Sequence, residues 1–177
     1  MVDFQLDDCT LTIDEETQKL IAELILAWAR YDSLVTHWTF RSFGMGPDEG
    51  PILLGNMDTK TKIERLKKLH NHLSIEPAAT WIGYLHKTHE THVEVRNAIC
   101  HKSCAGHHRR APNYLIFHIA KPPIKMIGHM TVEMYHLDQI KAAITFAKEA
   151  ADKISDIVKK LEELREQPLA QSPAEGG

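Results

Sequence analysis

The chain has no long hydrophobic run, few cysteines and no recognisable leader sequence. Its longest apolar stretch, from Leu20 to Trp28, is far shorter than the roughly 20 residues that span a membrane, and it contains Glu23. Three cysteines cannot form a fully paired disulfide framework, and the first ten residues have neither a basic start nor an apolar block. These absences predict a cytoplasmic protein with reduced thiols and no membrane partner.

A large excess of charge of one sign is also missing. The 21 Lys and Arg residues stand against 24 Asp and Glu residues, and the net charge of -3 excludes a general basic surface for nucleic acids or anionic lipids. Any site for a polyanion must therefore be local. With 177 residues, of which 43% are hydrophobic, the chain suits one domain with a buried core. Histidine is abundant: there are twelve, seven of them between His86 and His118.

Four segments have apolar residues three or four positions apart, a spacing that is typical of amphipathic helices. The first begins after a capping-box pattern at Thr12, and Asp58 and Asp138 are the predicted N-caps of the second and the fourth. Residues 44–56, between the first two helices, are rich in glycine and proline and are predicted to form a loop. The four predicted helices cover about 13–41, 59–73, 77–101 and 139–165.

The pattern changes to strict alternation before the last helix. Tyr114, Ile116 and His118 alternate with their neighbours, and a second alternating run follows two prolines, which predicts a small β-hairpin at about 113–137. The predicted fold is therefore all-α: an antiparallel four-helix bundle with this hairpin inserted before the last helix. The predicted units are an N-terminal extension (1–11), a single helical domain (12–165) and a disordered tail (166–177).

The end of the third predicted helix carries Arg96, Asn97 and His101 in the pattern Arg-Asn-x-x-x-His. Asn97 and His101 are about 40 degrees apart around a helix, so the amide is placed to orient the imidazole. Arg96 is about 140 degrees from His101, which predicts that one helix alone makes a poor site. Asp32 of the first helix is in reach of Arg96 across the bundle, but a solvent-facing carboxylate is the expectation. Arg and His in a last helical turn also fit a purely structural role at the helix dipole.

The motif and its surroundings resemble the HEPN superfamily of small helical-bundle domains. That family carries Arg, usually followed by a polar residue, and His four to six residues on, near the end of its third main helix. The tryptophan-bearing segment 27–32, the Gly-Asn-Met-Asp turn at 55–58 and the strand-rich insert are also similar to a bacterial HEPN-like subgroup. The resemblance covers about residues 12–165. Lys102 and Ser103 follow His101, where many members of the subgroup have glycine.

The resemblance implies a homodimer in which two such helices face each other, so that two Arg–His pairs line one cleft. It implies a metal-independent endoribonuclease of the toxin or phage-defence kind, without a cofactor and with an antitoxin protein as partner. The products would be 2',3'-cyclic phosphate and 5'-hydroxyl ends. His101 would transfer protons to and from the RNA, because histidine titrates near neutral pH. Arg96 would stabilise charge on the phosphoryl oxygens, with Asn97 in support.

The one local basic cluster of the sequence follows the motif directly. We predict that its side chains contact RNA phosphates in a salt-dependent way, although a solvated loop has the same composition. Its members are Lys102, His107, His108, Arg109 and Arg110.

Two further functions stay open. The first alternative to the nuclease is a non-catalytic HEPN-like module that binds a nucleotide or a protein. A metal-binding bundle is the weaker alternative. His86, His89 and His92 follow one another at intervals of three residues, so each is rotated about 60 degrees from the last around a helix, which favours an exposed polar face over a shared metal ion. No metal ligand is therefore assigned. The candidates considered for it are His86, His89, His92, Cys100, His101, Cys104, His107 and His108.

Overall fold

Five helices and a three-stranded antiparallel sheet make up the part of the chain that the structure, a computed structural model, describes: residues 9–46, 48–118 and 132–166. Four of the helices lie where the sequence predicts them. The elements are α1 (Glu15–Ser42), α2 (Glu49–Leu54), α3 (Thr59–His72), α4 (Glu76–His101), β1 (Ser103–His108), β2 (Ala111–His118), β3 (Val132–His136) and α5 (Leu137–Glu166).

Helix α1 buries one face along most of its length, as its three- and four-residue spacing predicts. It begins after Asp14, whose carboxylate accepts a hydrogen bond of 2.8 Å from the backbone N–H of Thr17. The N-cap is therefore Asp14 and not the predicted Thr12. The buried residues of this face include Leu24, Trp28, Tyr31, Val35 and Trp38.

The main core lies among α1, α3, α4 and α5, where α1 packs most extensively on α5 and α3 on α4. Phe146 of α5 contacts the rings of Trp28 and Tyr31, with centroid distances of 5.9 and 5.4 Å. Helix α3 begins after Asp58, whose Oδ1 accepts a 2.7 Å hydrogen bond from the backbone of Thr61, so this predicted N-cap is confirmed. This packing brings the middle of α1, the start of α3 and the last turns of α4 side by side.

The predicted all-α, antiparallel four-helix bundle with one small hairpin is wrong. A fifth helix, α2, lies within the predicted loop 44–56, and the sheet has three strands. Pro51 is tolerated in the first turn of α2 because the first N–H groups of a helix have no intrahelical acceptor. Strand β1 lacks a run of β-branched or aromatic residues, and it is a strand because its backbone pairs with β2.

The sheet has the strand order β1-β2-β3, and its residues contribute to two separate apolar clusters. Leu115 and Phe117 of β2 pack in the main core, as the alternation of side chains along a strand requires. Ile116, between them, lies on the opposite face with Cys9 and Ala105. The sheet therefore closes one side of the helical core and also holds the residues that precede α1.

Residues 9–11 lie against β1. The backbone N–H of Thr10 donates to the carbonyl of His107 at 3.0 Å, and Cys9 forms a single β-bridge with His108. Gly106 permits this close approach, because its φ is +94° and a Cβ there would lie 2.9 Å from the backbone nitrogen of Leu11. Residues 1–8 of the predicted extension, 119–131 of the predicted hairpin and 167–177 of the predicted tail lie outside the described residues.

Candidate functional site

The end of α4 brings Arg96, Asn97 and His101 together. Nη1 of Arg96 donates a 3.1 Å hydrogen bond to Oδ1 of Asn97 and lies 3.4 Å from Nε2 of His101. His101 is the last residue of α4, and its side chain is exposed. The angle of about 140 degrees around the helix does not keep the two side chains apart, because the long arginine side chain spans it. The amide of Asn97 orients the guanidinium rather than the imidazole.

Asp32 of α1 holds the other side of the Arg96 guanidinium. Its Oδ2 lies 3.6 Å from Nη2 of Arg96, and its Oδ1 accepts a 2.8 Å hydrogen bond from the hydroxyl of Thr59. The side chain is 31% exposed, so the expected solvent-facing carboxylate is wrong. Burial raises the pKa of Asp32 above its ordinary value, while the Thr59 hydrogen bond and the charge of Arg96 oppose this shift. Arg96 is therefore fixed from two sides.

A cleft of about 260 Å³ opens beside Arg96, and we call it the Arg96 cleft. Its floor is apolar and buried, since Trp28 is 1% and His89 is 3% exposed. Its rim is polar and includes Lys60, whose ammonium group donates a 2.6 Å hydrogen bond to Glu90. An apolar floor with a few polar groups around it is typical of small-molecule sites. The residues that line the cleft include Trp28, Asp32, Thr59, His89, Arg96 and Asn97.

His89 contributes an uncharged ring to the floor of the Arg96 cleft at neutral pH. Its Nδ1 lies 3.3 Å from the hydroxyl oxygen of Tyr31, and its ring centroid lies 5.5 Å from that of Trp28. Burial lowers the pKa of His89 to about 4, and the neighbouring His86 acts in the same direction. Burial also raises the pKa of Tyr31, so the phenol stays protonated and able to donate.

We expect acid to destabilise the fold through His89. In the unfolded chain this histidine takes up a proton near pH 6.5, whereas in the folded protein it does so only near pH 4. Its contribution is therefore fully present above pH 6.5 and is lost as the pH falls toward 4, which lowers the free energy of unfolding by about 3 kcal/mol. Urea unfolding between about pH 7.5 and 4 measures this loss.

Two substitutions isolate the contribution of His89. The change in unfolding free energy between pH 6.5 and 4 should be smaller by about 3 kcal/mol in His89→Gln. His72→Gln should behave as the wild type, because His72 is exposed at the end of α3. The same pH dependence in His89→Gln and in the wild type would contradict the prediction.

Two members of the predicted RNA-binding cluster have partners inside the fold. Lys102 forms an ion pair with Glu133 of β3. His107 is buried, with Nδ1 2.6 Å from the carbonyl oxygen of Pro112 and Nε2 2.8 Å from Oδ2 of Asp14. Both side chains thus join neighbouring elements of the fold.

Of the other three members, His108 ends β1, and Arg109 and Arg110 form the turn between β1 and β2. Arg109 and Arg110 are exposed, and Nε of Arg109 donates a 3.0 Å hydrogen bond to the carbonyl of Cys9. Strand β1 begins just after His101 and rises about 3.3 Å per residue, which places this turn roughly 15–20 Å from His101. The structure does not bring the turn next to Arg96.

The candidate metal ligands on α4 have different neighbours. His86 lies 3.3 Å from a carboxylate oxygen of Glu64, whereas the ring of His92 stacks on Phe146 with a centroid distance of 5.3 Å. In the described ranges 9–46, 48–118 and 132–166, no three His, Cys, Asp or Glu side chains are grouped so that they could hold a metal ion. None of the helices in these ranges is both long and apolar enough to cross a membrane.

The sequence places Asp32 in reach of Arg96, but it predicts neither that Asp32 is paired there nor that Thr59 takes part in the site. The ion pair of Asp32 with Arg96 and the hydrogen bond from Thr59 depend on how α1 and α3 pack beside α4. One signal was available in the sequence: Asp32 lies one turn after Trp28, next to the buried face of α1.

Comparison with known proteins found no matching family model, no matching curated protein and no matching solved structure. The resemblance to HEPN domains therefore rests on the Arg-Asn-x-x-x-His motif of α4 and on the segments around it.

Proposed function

We propose that this protein is a metal-independent endoribonuclease of the HEPN type, which cuts RNA in a cleft between two copies of the chain. One observation supports this proposal most: the guanidinium of Arg96 is held by Asn97 and Asp32 with Nη1 3.4 Å from the exposed His101. A fixed cation beside an accessible imidazole suits proton transfer at a phosphodiester whose oxygens gain charge in the transition state.

In the proposed reaction, His101 of one copy takes the proton from an RNA 2'-hydroxyl, and the 2'-oxygen attacks the adjacent phosphorus. The bond from phosphorus to the 5'-oxygen breaks, and His101 of the second copy donates a proton to that oxygen. Proton exchange with water restores both imidazoles. Arg96 donates hydrogen bonds to the non-bridging oxygens. The products are 2',3'-cyclic phosphate and 5'-hydroxyl ends, and a two-fold axis supplies the second Arg–His pair.

The basic cluster is proposed to extend the RNA-binding surface, chiefly through the exposed Arg109 and Arg110. Contacts of this kind weaken as the salt concentration rises, because bound phosphates release counterions. An RNA strand that touches His101 and this turn spans several nucleotides. A toxin or phage-defence role, with an antitoxin protein as partner, rests on the resemblance alone.

The purified protein is expected to cleave single-stranded RNA in EDTA, because the proposed reaction uses side chains alone for proton transfer and charge stabilisation. Mass spectrometry of the fragments should find 2',3'-cyclic phosphates, and light scattering should give the mass of a dimer. Cleavage that requires an added metal ion, or no cleavage of any RNA tested, would count against the nuclease. An active monomer would exclude the cleft between two copies.

A non-catalytic nucleotide-binding module is the second candidate, and the Arg96 cleft favours it. The cleft of about 260 Å³ combines a buried apolar floor with the guanidinium of Arg96, as nucleotide sites do. Nucleotide binding without RNA cleavage, measured on the same protein sample, would distinguish this module from the nuclease.

A further inference from the structure

We propose that the Arg96 cleft is a base-binding subsite that accepts guanine, and that Asp32 selects this base. The inference rests on the proposed function, because it adds a base subsite to the phosphate site formed by Arg96 and His101.

Arg96 lies between the proposed phosphate site and the proposed base subsite. Its Nη1 faces Asn97 and His101, where the proposed reaction places the phosphate. Its Nη2 faces Asp32, which lines the cleft. The cleft is therefore within reach of the sugar and base of a nucleotide whose phosphate lies beside Nη1.

The lining of the cleft argues for a base rather than for a second phosphate. The carboxylates of Asp32 and Asp58 both line it and would repel an anion. The ammonium group of Lys60 is already bound by Glu90 at 2.6 Å. The guanidinium of Arg96, which also lines the cleft, faces Asp32, so both cations of the lining already lie beside a carboxylate.

The floor of the cleft suits a flat ring. Trp28 and Val93 are apolar, and His89 is uncharged at neutral pH because burial lowers its pKa to about 4. Proteins that bind single-stranded RNA hold unstacked bases against aromatic or apolar side chains and read the hydrogen-bonding groups of the base with polar ones. In the Arg96 cleft, the partly exposed Val93 offers an apolar contact above the buried Trp28 and His89, and the rim supplies the polar groups.

Asp32 gives the cleft its selectivity. A carboxylate accepts hydrogen bonds through both oxygens, and each oxygen has room for two. Oδ1 receives one from Thr59, and Oδ2 lies at the loose distance of 3.6 Å from Arg96, so the carboxylate retains accepting capacity. Guanine presents two adjacent N–H donors, N1 and N2, on its Watson–Crick face. Adenine, cytosine and uracil present an acceptor beside their donor there, and the carboxylate repels an acceptor.

The test measures binding and not cleavage. Short oligodeoxyadenylates, which lack the 2'-hydroxyl that the nuclease needs, carry one central guanine, hypoxanthine or uracil. Hypoxanthine differs from guanine only by the missing 2-amino group. We expect the wild-type protein to bind the guanine oligomer about tenfold more tightly than either of the others, the usual gain from a good bidentate contact to a base.

A matched pair of substitutions assigns the effect to Asp32. Asp32→Asn should reduce the guanine-to-hypoxanthine ratio to about one, because an amide cannot accept two hydrogen bonds side by side. Asp152→Asn should keep the wild-type ratio, because Asp152 forms an exposed ion pair with Arg30 away from the cleft. Circular dichroism checks that both variants fold. If Asp32→Asn does not fold, the guanine-to-hypoxanthine ratio of the wild-type protein alone decides the proposal.

The outcomes separate this inference from the proposed function. Equal binding of the guanine and hypoxanthine oligomers by the wild type overturns the guanine subsite, and so does an unchanged ratio in folded Asp32→Asn. Cleavage of RNA in EDTA combined with equal binding leaves the nuclease standing without the subsite. A guanine preference without any cleavage supports the subsite and overturns the nuclease.

Discussion

His101→Ala is expected to lower the rate of RNA cleavage in EDTA by about 10²–10⁴-fold, the usual contribution of a positioned general acid or base. Its imidazole is exposed at the last residue of α4, so its removal takes away proton transfer without opening the core. In a cleft between two copies, one substitution removes both proton-transferring groups, which places the expected loss toward the upper end of this range. Initial rates on a fluorescent single-stranded RNA measure it.

His72→Ala is the matched control for His101→Ala. His72 is also an exposed histidine in the last turn of a helix, α3, and has no part in the proposed site. This variant should cleave RNA within about twofold of the wild-type rate. Both variants should have the wild-type free energy of unfolding in urea, within about 0.5 kcal/mol. A folded His101→Ala protein with the wild-type rate would remove the Arg96–His101 pair from the mechanism.

Trp28→Ala is expected to lower the free energy of unfolding by about 3–5 kcal/mol, the usual cost of truncating a buried tryptophan. The side chain is 1% exposed. Its ring contacts those of Tyr31, His89 and Phe146 at centroid distances of 5.5, 5.5 and 5.9 Å, so it joins α1 to both α4 and α5. The cavity left by the substitution would weaken all of these contacts together. Urea denaturation followed by circular dichroism measures the loss.

Leu26→Ala provides the comparison on the same helix. Leu26 is 71% exposed, so its truncation should cost less than about 1 kcal/mol. A similar loss in both variants would mean that α1 responds to any change in its side chains, and a loss below about 1 kcal/mol for Trp28→Ala would show that this ring does not hold the core together.

Helices were predictable from the sequence where their stability comes from a local repeat. The apolar spacing of α1 and the cap at Asp58 each depend on residues within one or two turns. Strand β1 was not predictable in this way, because Ala105 and Gly106 are ordinary loop residues until their backbone pairs with β2. Helix α2 was not predicted because Pro51 usually signals a loop, although proline is tolerated in the first turn of a helix.

The candidate site also has a part that was predictable from local sequence and a part that was not. Arg96, Asn97 and His101 follow one another on a single helix, so their spacing and their place at its end were readable. The ion pair with Asp32 crosses from α1 to α4, and the low pKa of His89 comes from its burial beneath the cleft. Contacts of that kind depend on the packing of distant segments, which no local pattern contains.

The segment that lies over β1 also affects how the sheet meets other molecules. An unpaired outer strand offers a row of free N–H and C=O groups on which a strand of another chain can assemble, a common route to aggregation. Cys9 and Thr10 occupy part of that row on β1 through the bridge to His108 and the 3.0 Å hydrogen bond to His107. On that side of the sheet, Cys9 and Thr10 therefore reduce the length of free strand edge on which another chain could assemble.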